Sequence, residues 1–240
     1  METMEILTLA VGAAWASGIN LYATVLLVGS LGLFGVVDLP PSLEMLENPL
    51  VLVAAGFLYC IEFVADKIPI VDTLWDTIHT FIRVPAGALI AAGAVGGLDI
   101  TGLGEETEFI AALVAGGALT ATTHATKAAS RAAINVSPEP FSNIAASLTE
   151  DVMVFGGLSL ALFNPVVFMV LAGIGLCLFI WLAPKLWRGI SSFFGRYKDP
   201  VGAARSARER GWAPAGAPSG TTAGVSLPRP SSNQDDDASF

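Results

Sequence analysis

The chain has 240 residues, of which 53% are hydrophobic and only 14% are charged, and its mean hydropathy is +0.66. A soluble domain carries about a quarter charged residues, so this composition does not supply a water-facing surface and excludes a soluble enzyme. The net charge of -9 argues against nucleic-acid binding, which needs a basic surface. The composition predicts an all-α, polytopic transmembrane helical bundle whose main partner is the lipid bilayer.

Six apolar segments follow one another along the chain, and a membrane span needs about 20 residues. They are residues 5–37, 49–65, 84–98, 107–134, 144–163 and 165–182. The first segment is too long for one straight crossing, and the weak helix formers Ser17, Gly18 and Asn20 interrupt it. It is therefore a broken helix, a long tilted helix or a re-entrant hairpin.

Charges between the segments predict the orientation. Residues 38–48 and 99–108 contain acidic residues and neither Lys nor Arg, whereas the basic residues fall on the other side of the predicted bundle: Lys67, Arg83, Lys127, Arg131, Lys185, Arg188, Arg196 and Lys198. The positive-inside rule then gives about six crossings with both termini in the cytoplasm. Residues 1–196 form the predicted transmembrane domain. Residues 197–240, rich in Gly, Pro, Ser and Ala, are predicted to be a disordered cytoplasmic tail.

A weak internal similarity links residues 12–20 with residues 117–125, in segments that run in opposite directions in this topology. Three helices followed by three inverted helices is a common transporter plan, so a 3+3 inverted repeat is one interpretation. A rival match between Asn48-Pro49 and Asn164-Pro165 pairs segments of the same direction, and both interpretations stay open.

Polar residues at membrane depth are the candidate functional residues, because a charge at the bilayer centre costs roughly 2.5–3.5 kcal/mol and needs a partner or water. A rise of about 1.5 Å per residue places several of them at one level near the cytoplasmic edge. We predict a substrate- or ion-binding group in a hydrated cavity open to the cytoplasm, formed by Asn20, Glu62, Asp66, His124, Lys127, Glu150 and Asp151. The alternative is that these groups neutralise each other and only hold the helices together.

Residues 70–83 have a polar stripe and an apolar face, and Pro69 interrupts any helix that precedes them. They are predicted to form an amphipathic cytoplasmic helix that leads into the third span. Asp72, Asp76 and His79 follow one another at helical spacing in this segment, where a solvated charge ladder is favoured over a metal site.

Further along the chain, Lys127 and Arg131 share one stripe of the fourth segment. They either extend to the membrane interface or form an inward-facing anion site. Ser142 or Asn143 is expected to cap the fifth helix, with Glu139 as a turn residue before it. The two cysteines, Cys60 and Cys177, lie in apolar runs and are expected to be small packing residues.

Three segments carry a family resemblance: residues 17–22 (SGINLY), 62–69 (EFVADKIP) and 137–143 (SPEPFSN). They resemble an uncharacterised family of small bacterial integral membrane proteins, known only as a domain of unknown function. The resemblance covers roughly residues 7–186. It implies a location in the bacterial inner membrane and assigns no activity and no functional residue.

The sequence contains no catalytic set, phosphate-binding loop, zinc-ligand spacing or dinucleotide fingerprint, so no enzyme activity, metal or cofactor is predicted. The leading hypothesis is a small transporter or channel-like protein whose ligand is a solute, an ion or a lipid headgroup. The alternative is a non-catalytic membrane scaffold or assembly protein, and an intramembrane lipid-modifying enzyme has the least support. A homo-oligomer is compatible with either hypothesis.

Overall fold

The computed structural model describes residues 2–135 and 140–197, and that part of the chain contains helices and no strand. The elements are α1 (Thr3–Leu33), a 3₁₀ helix (Pro41–Glu47), α2 (Pro49–Ala65), α3 (Pro69–Val95), α4 (Glu105–Asn135), α5 (Pro140–Phe163) and α6 (Pro165–Tyr197). The predicted all-α class is confirmed. Glu139 and the predicted tail from residue 198 onward lie outside the described residues.

Five described helices are long and apolar enough to cross a membrane: α1, α3, α4, α5 and the part of α6 that covers Pro165–Leu182. The 3₁₀ helix and α2 together form a pair bent by 63°, which gives a sixth candidate span. The chain is thus a polytopic helical bundle, and the predicted number of about six spans agrees with the count that includes the bent pair.

Helix α1 lies at the centre of the unit Met1–Phe179 and packs against α2, α3, α4 and α5. Its small side chains let neighbouring backbones approach closely, as in many membrane bundles. A Cβ atom on Gly18 would lie 2.6 Å from the carbonyl oxygen of Thr120 in α4. The Thr120 hydroxyl also donates a hydrogen bond of 2.8 Å to the carbonyl of Ala14. The two patches with the weak internal similarity are therefore in direct contact.

Helix α1 is broken at Asn20, whose φ of -148° and ψ of 100° are not helical. The Asn20 side-chain oxygen accepts a hydrogen bond of 2.9 Å from the backbone N–H of Ala23, and this is how an N-cap residue starts a helix. The Thr24 hydroxyl donates to the Asn20 carbonyl at 2.9 Å. Of the three alternatives for the first segment, the structure supports the broken helix.

Helix α3 corrects the prediction of a separate cytoplasmic helix over residues 70–83. Pro69 occupies the first turn, where a missing N–H costs nothing, and the helix continues past Pro85 to Val95. The apolar side of its first half is the exposed side, with Leu74 60% and Ile78 61% exposed, while its polar stripe is buried. Polar groups inside and apolar groups outside is the arrangement of a helix in contact with lipid.

Helix starts explain one of the sequence matches. Asn48 caps α2 by accepting a hydrogen bond of 2.9 Å from the N–H of Leu50, and proline is the first residue of both α2 and α6. Asparagine followed by proline is a common way to begin a helix, so this match does not require a repeat. The 3+3 inverted repeat stays a prediction.

Two smaller predictions are wrong. Helix α5 already begins at Pro140, so Ser142 and Asn143 lie inside it and do not cap it. Cys60 and Cys177 are free thiols on exposed positions, because the helices present apolar side chains outward as well as inward.

In the second unit, Ile180–Phe240, the Lys185 ammonium lies 3.0 Å from the centre of the Trp181 ring.

Candidate functional site

Three cations and five carboxylates meet inside the bundle, and we call this group the charge cluster. Its members are Arg83, Lys127, Arg131, Glu62, Asp66, Asp72, Asp76 and Glu150. Each side chain is at most 5% exposed, except that of Glu150 at 15%. The cluster joins α2, α3, α4 and α5, and it carries a formal charge of -2 when all its members are ionised.

Arg83 is fully buried and bridges two carboxylates. Its Nη2 donates to Glu62 Oε1 at 2.5 Å, and its Nη1 donates to Asp76 Oδ1 at 2.9 Å. Asp76 and Arg83 are seven residues apart in α3, which places them on the same helix face two turns apart. Arg83 thereby ties α3 to Glu62, the ionisable residue near the end of α2.

The imidazole of His124 contacts both Arg83 and Asp76, and its hydrogen bonds fix which ring nitrogen carries the proton. Its Nδ1 is 3.2 Å from the Arg83 Nη1, which only donates, so Nδ1 accepts. Its Nε2 is 2.7 Å from the Thr80 hydroxyl oxygen and 3.2 Å from the Asp76 carbonyl oxygen. Because the Thr80 hydroxyl already donates to that carbonyl, Nε2 carries the ring proton. The arrangement specifies the neutral Nε2–H form of His124.

Lys127 occupies the middle of the cluster. Its ammonium nitrogen is surrounded by five oxygen atoms: Ile19 O at 3.0 Å, Glu62 Oε1 at 3.3 Å, Glu150 Oε2 at 3.3 Å, Asp66 Oδ2 at 3.6 Å and Asp76 Oδ1 at 3.8 Å. The Ile19 carbonyl precedes the break in α1, and the break leaves it available to the ammonium.

Arg131 forms the other end of the cluster. Its Nε donates to Glu150 Oε1 and its Nη2 donates to Glu150 Oε2, both at 2.8 Å. This bidentate geometry is the one that a guanidinium favours with a carboxylate. Its Nη1 donates to the carbonyl oxygens of Asp66 at 3.0 Å and Asn143 at 3.3 Å. Arg131 therefore holds the end of α2 and the first turn of α5 against α4.

A second polar group joins α1 and α3 beside the cluster. His79 Nδ1 donates to the carbonyl of Trp75 at 2.8 Å, so its Nε2 accepts from the Tyr22 hydroxyl at 2.9 Å. The Trp75 ring stacks on the imidazole, with centroids 4.1 Å apart. Both ring nitrogens of His79 are thus engaged. Within residues 2–135 and 140–197, no group of three or more His, Cys, Asp or Glu side chains is placed to hold a metal ion.

The model of one protein family, described as a domain of unknown function (DUF4126), matches residues 7–185. The chain belongs to the DUF4126 family. The family resemblance described in the sequence analysis, to a domain of unknown function over roughly residues 7–186, is therefore confirmed. No curated protein and no solved structure matches the chain.

Five of the seven predicted site residues meet in the DUF4126 domain: Glu62, Asp66, His124, Lys127 and Glu150. Asn20 takes part indirectly, because it caps the second half of α1 next to the carbonyl that Lys127 binds. Asp151 lies elsewhere, half-exposed, beside Tyr59 and Lys67. Adjacent residues on a helix point about 100° apart, so Glu150 and Asp151 do not share one site.

Two predictions about charged stripes are wrong. The predicted solvated ladder is buried, since Asp72 is 0% and Asp76 4% exposed. Lys127 and Arg131 do not extend to the interface; they are 5% and 1% exposed and bind carboxylates, so no anion site is left open there. Lys127, Arg131 and Arg83 are therefore interior residues and not loop charges. They no longer support the orientation that the positive-inside rule predicted, with both termini in the cytoplasm.

Sequence reasoning left Arg83, Asp72 and Asp76 out of the site. The signal was their shared polar stripe on α3, with Asp76 and Arg83 seven residues apart. In a soluble protein such a stripe faces water, whereas in a membrane it faces the bundle interior. The same pattern therefore has opposite meanings in the two solvents.

Proposed function

We propose that this DUF4126 protein is a small transporter of the bacterial inner membrane, in which the charge cluster binds and releases a small charged ligand. The observation that supports this most is the charge cluster itself, in which eight ionisable side chains from four helices are at most 15% exposed. Each buried ion loses several kcal/mol of hydration, and well-packed apolar residues often stabilise a protein equally well or better. Intramembrane charges are retained mainly where ions or substrates move.

The break in α1 supports the same proposal. Discontinuous membrane helices place unpaired backbone groups at substrate and ion sites near the middle of transporters. Here the carbonyl of Ile19, just before the break, binds the Lys127 ammonium at 3.0 Å. A ligand that displaces or protonates any member of the cluster would alter contacts of α1 through α5 together.

The described conformation is closed around the cluster, because Glu150 is its most exposed side chain at 15%. Transport then requires a second conformation with a hydrated cavity open to the cytoplasm. The rival proposal, a scaffold or assembly protein, is favoured by one specific observation. All three cations are paired with carboxylates at 2.5–3.4 Å, as a permanent lock between helices would be.

Cysteine accessibility distinguishes the two proposals. Ser17→Cys and Ser147→Cys change one atom at positions 0% and 1% exposed, three residues before Asn20 and Glu150 respectively. Each is made in a Cys60→Ser, Cys177→Ser background and reacted in membrane vesicles with a charged methanethiosulfonate. A transporter that opens gives slow, time-dependent labelling at these two sites.

The controls use the same background. Val154→Cys, at 0% exposure in α5, should stay unlabelled, and Leu103→Cys, at 69% exposure between α3 and α4, should react quickly. Labelling of Ser17→Cys and Ser147→Cys at the rate of Val154→Cys would refute the transporter and favour the scaffold. A reporter enzyme fused to the C-terminus tests the proposed cytoplasmic location of that end.

A further inference from the structure

We propose that the ammonium group of Lys127 occupies a binding site for a monovalent cation of ammonium size, and that the ligand of the charge cluster is a cation that exchanges with it. This inference rests on the proposed transport function for its biological role, whereas the binding site rests on the geometry alone. It names the substrate class as cationic, which neither the sequence nor the family assigns.

The coordination of the ammonium nitrogen is that of a ligand in a cage. Five oxygen atoms lie 3.0–3.8 Å from it, one from a backbone carbonyl of α1 and four from carboxylates. Two of the carboxylates belong to α2 and the residue that ends it, one to α3 and one to α5. The 3.0 Å contact with the Ile19 carbonyl has the length of an ordinary hydrogen bond, and the four carboxylate distances are longer. They exceed the 2.3–2.6 Å that a calcium ion needs, so the cage has the size of an ammonium or of a large alkali ion rather than of a divalent metal.

The charge of the cluster also selects a cation. Three cations face five carboxylates, and an added anion would increase the excess of negative charge. Glu62 Oε2, Asp66 Oδ1 and Asp76 Oδ2 are buried and have no hydrogen-bond partner among the described residues. Their residues are at most 4% exposed, and each has its other oxygen within 3.8 Å of the ammonium. A second cation entering the cluster would find unused acceptors beside the cage.

Exchange requires that Lys127 be able to leave the cage. Its ammonium is a compact charge on a flexible four-carbon stem, unlike a guanidinium held by several fixed donors. Arg83 and Arg131, by contrast, are each anchored on at least two acceptors from different helices. We infer that the arginines keep the cluster assembled while Lys127 is the member that moves.

Binding to the purified protein tests the site without any transport assay. Lys127→Met removes the tethered cation and leaves its five oxygen atoms in place. Thermal unfolding in detergent is followed in ammonium, methylammonium, potassium and sodium chloride, with choline chloride holding the ionic strength constant. The midpoint of Lys127→Met should rise saturably with at least one of these cations, by about 5–10 °C at a hundred times its Kd.

Wild-type protein should need at least about ten times more of the same cation for the same rise, because the cation competes with Lys127. Lys67→Met is the matched control, since Lys67 binds Phe63 outside the cluster, and it should behave like the wild type. A folded Lys127→Met protein whose midpoint is equal in all salts would overturn the proposal. An equal response of all three proteins would overturn it as well.

A second variant covers the case in which Lys127→Met does not fold. Lys127→Arg fills the cage with a larger fixed cation. Equilibrium dialysis against each of the same four cations should therefore detect at least one of them bound to the wild type and none bound to Lys127→Arg. Equal binding to both would refute the site. Flux of the bound cation into proteoliposomes is measured separately, so binding without flux would leave the site standing and refute the transporter. Flux without binding at Lys127 would do the reverse.

Discussion

The ammonium nitrogen of Lys127 lies 3.0 Å from the carbonyl oxygen of Ile19, at the point where α1 is broken. This contact joins the two unusual features of the molecule, an interrupted central helix and a buried group of eight ionisable side chains. A continuous α1 would use that carbonyl within its own hydrogen-bond ladder. The break therefore supplies an acceptor that no side chain of α1 provides.

The first prediction concerns Asn20, which the structure assigns as a cap. Asn20→Ala removes the hydrogen bond to the N–H of Ala23, so the free energy of unfolding should fall by about 1 kcal/mol. Asn20→Ser keeps a capping oxygen and should lose much less. Both are measured by SDS-induced unfolding in mixed micelles followed by circular dichroism. If serine is as damaging as alanine, the amide nitrogen has a role of its own, such as ligand binding.

The second prediction concerns the buried pair of Arg83 and Glu62, whose donor and acceptor are 2.5 Å apart. Arg83→Met leaves carboxylates buried without their cation, and we expect a loss of about 3–5 kcal/mol in unfolding free energy. Adding Glu62→Gln to that variant removes one of the uncompensated charges and should recover part of the loss. The same SDS titration measures the coupling in a double-mutant cycle.

Glu44→Gln is the control for this cycle, because Glu44 is an exposed acid in the 3₁₀ helix and is not a member of the charge cluster. Its effect should be within about 0.5 kcal/mol, as for most surface substitutions. Strict additivity of the Arg83 and Glu62 substitutions would show that the pair contributes no coupling and would contradict the assigned geometry.

The third prediction concerns the close approach of α1 and α4. A Cβ on Gly18 would lie 2.6 Å from the Thr120 carbonyl oxygen and 2.7 Å from the Thr123 Cβ, and both atoms belong to a rigid helix. Gly18→Ala should therefore lower the unfolding free energy by about 1–3 kcal/mol, as overpacking does. Gly56→Ala, whose Cβ would meet its nearest neighbour at 3.8 Å, should be neutral or stabilising. Equal effects of the two substitutions would place α1 and α4 further apart than described.

The fourth prediction tests whether the exposed apolar surface faces lipid. Cys60 on α2 and Cys177 on α6 are exposed thiols, yet a charged reagent stays in water and does not reach a thiol that faces hydrocarbon. A charged maleimide should therefore leave both unlabelled in intact vesicles and label both after SDS denaturation. Leu103→Cys, in the segment between α3 and α4, should react before denaturation. Rapid labelling of Cys177 in vesicles would mean that this side of α6 is in water.

The positions of the helices followed from local chemistry, so the sequence predicted most of them. Residues 49–65 were predicted and observed as α2, because Asn48 caps the helix and Pro49 begins it. The weak patch at Asn20 marked the break in α1 for a similar reason, since asparagine is a poor helix former and a good cap. The prediction of a separate helix over residues 70–83 was wrong, because the sequence alone does not distinguish a proline that begins a helix from one that separates two helices.

The sequence by itself determined that this chain belongs in a membrane, that it is helical, and that Glu62, Asp66, His124, Lys127 and Glu150 are unusual at their depth. These conclusions depend on composition, hydropathy and helix-start residues, all of which act over one or two helical turns. Only the tertiary structure decided that Arg83, Asp72 and Asp76 join the cluster, that Asp151 does not, and that Lys127 binds the carbonyl of Ile19. The rotation of each helix about its axis depends on its packing against the other helices, and the order of residues along one helix does not fix it.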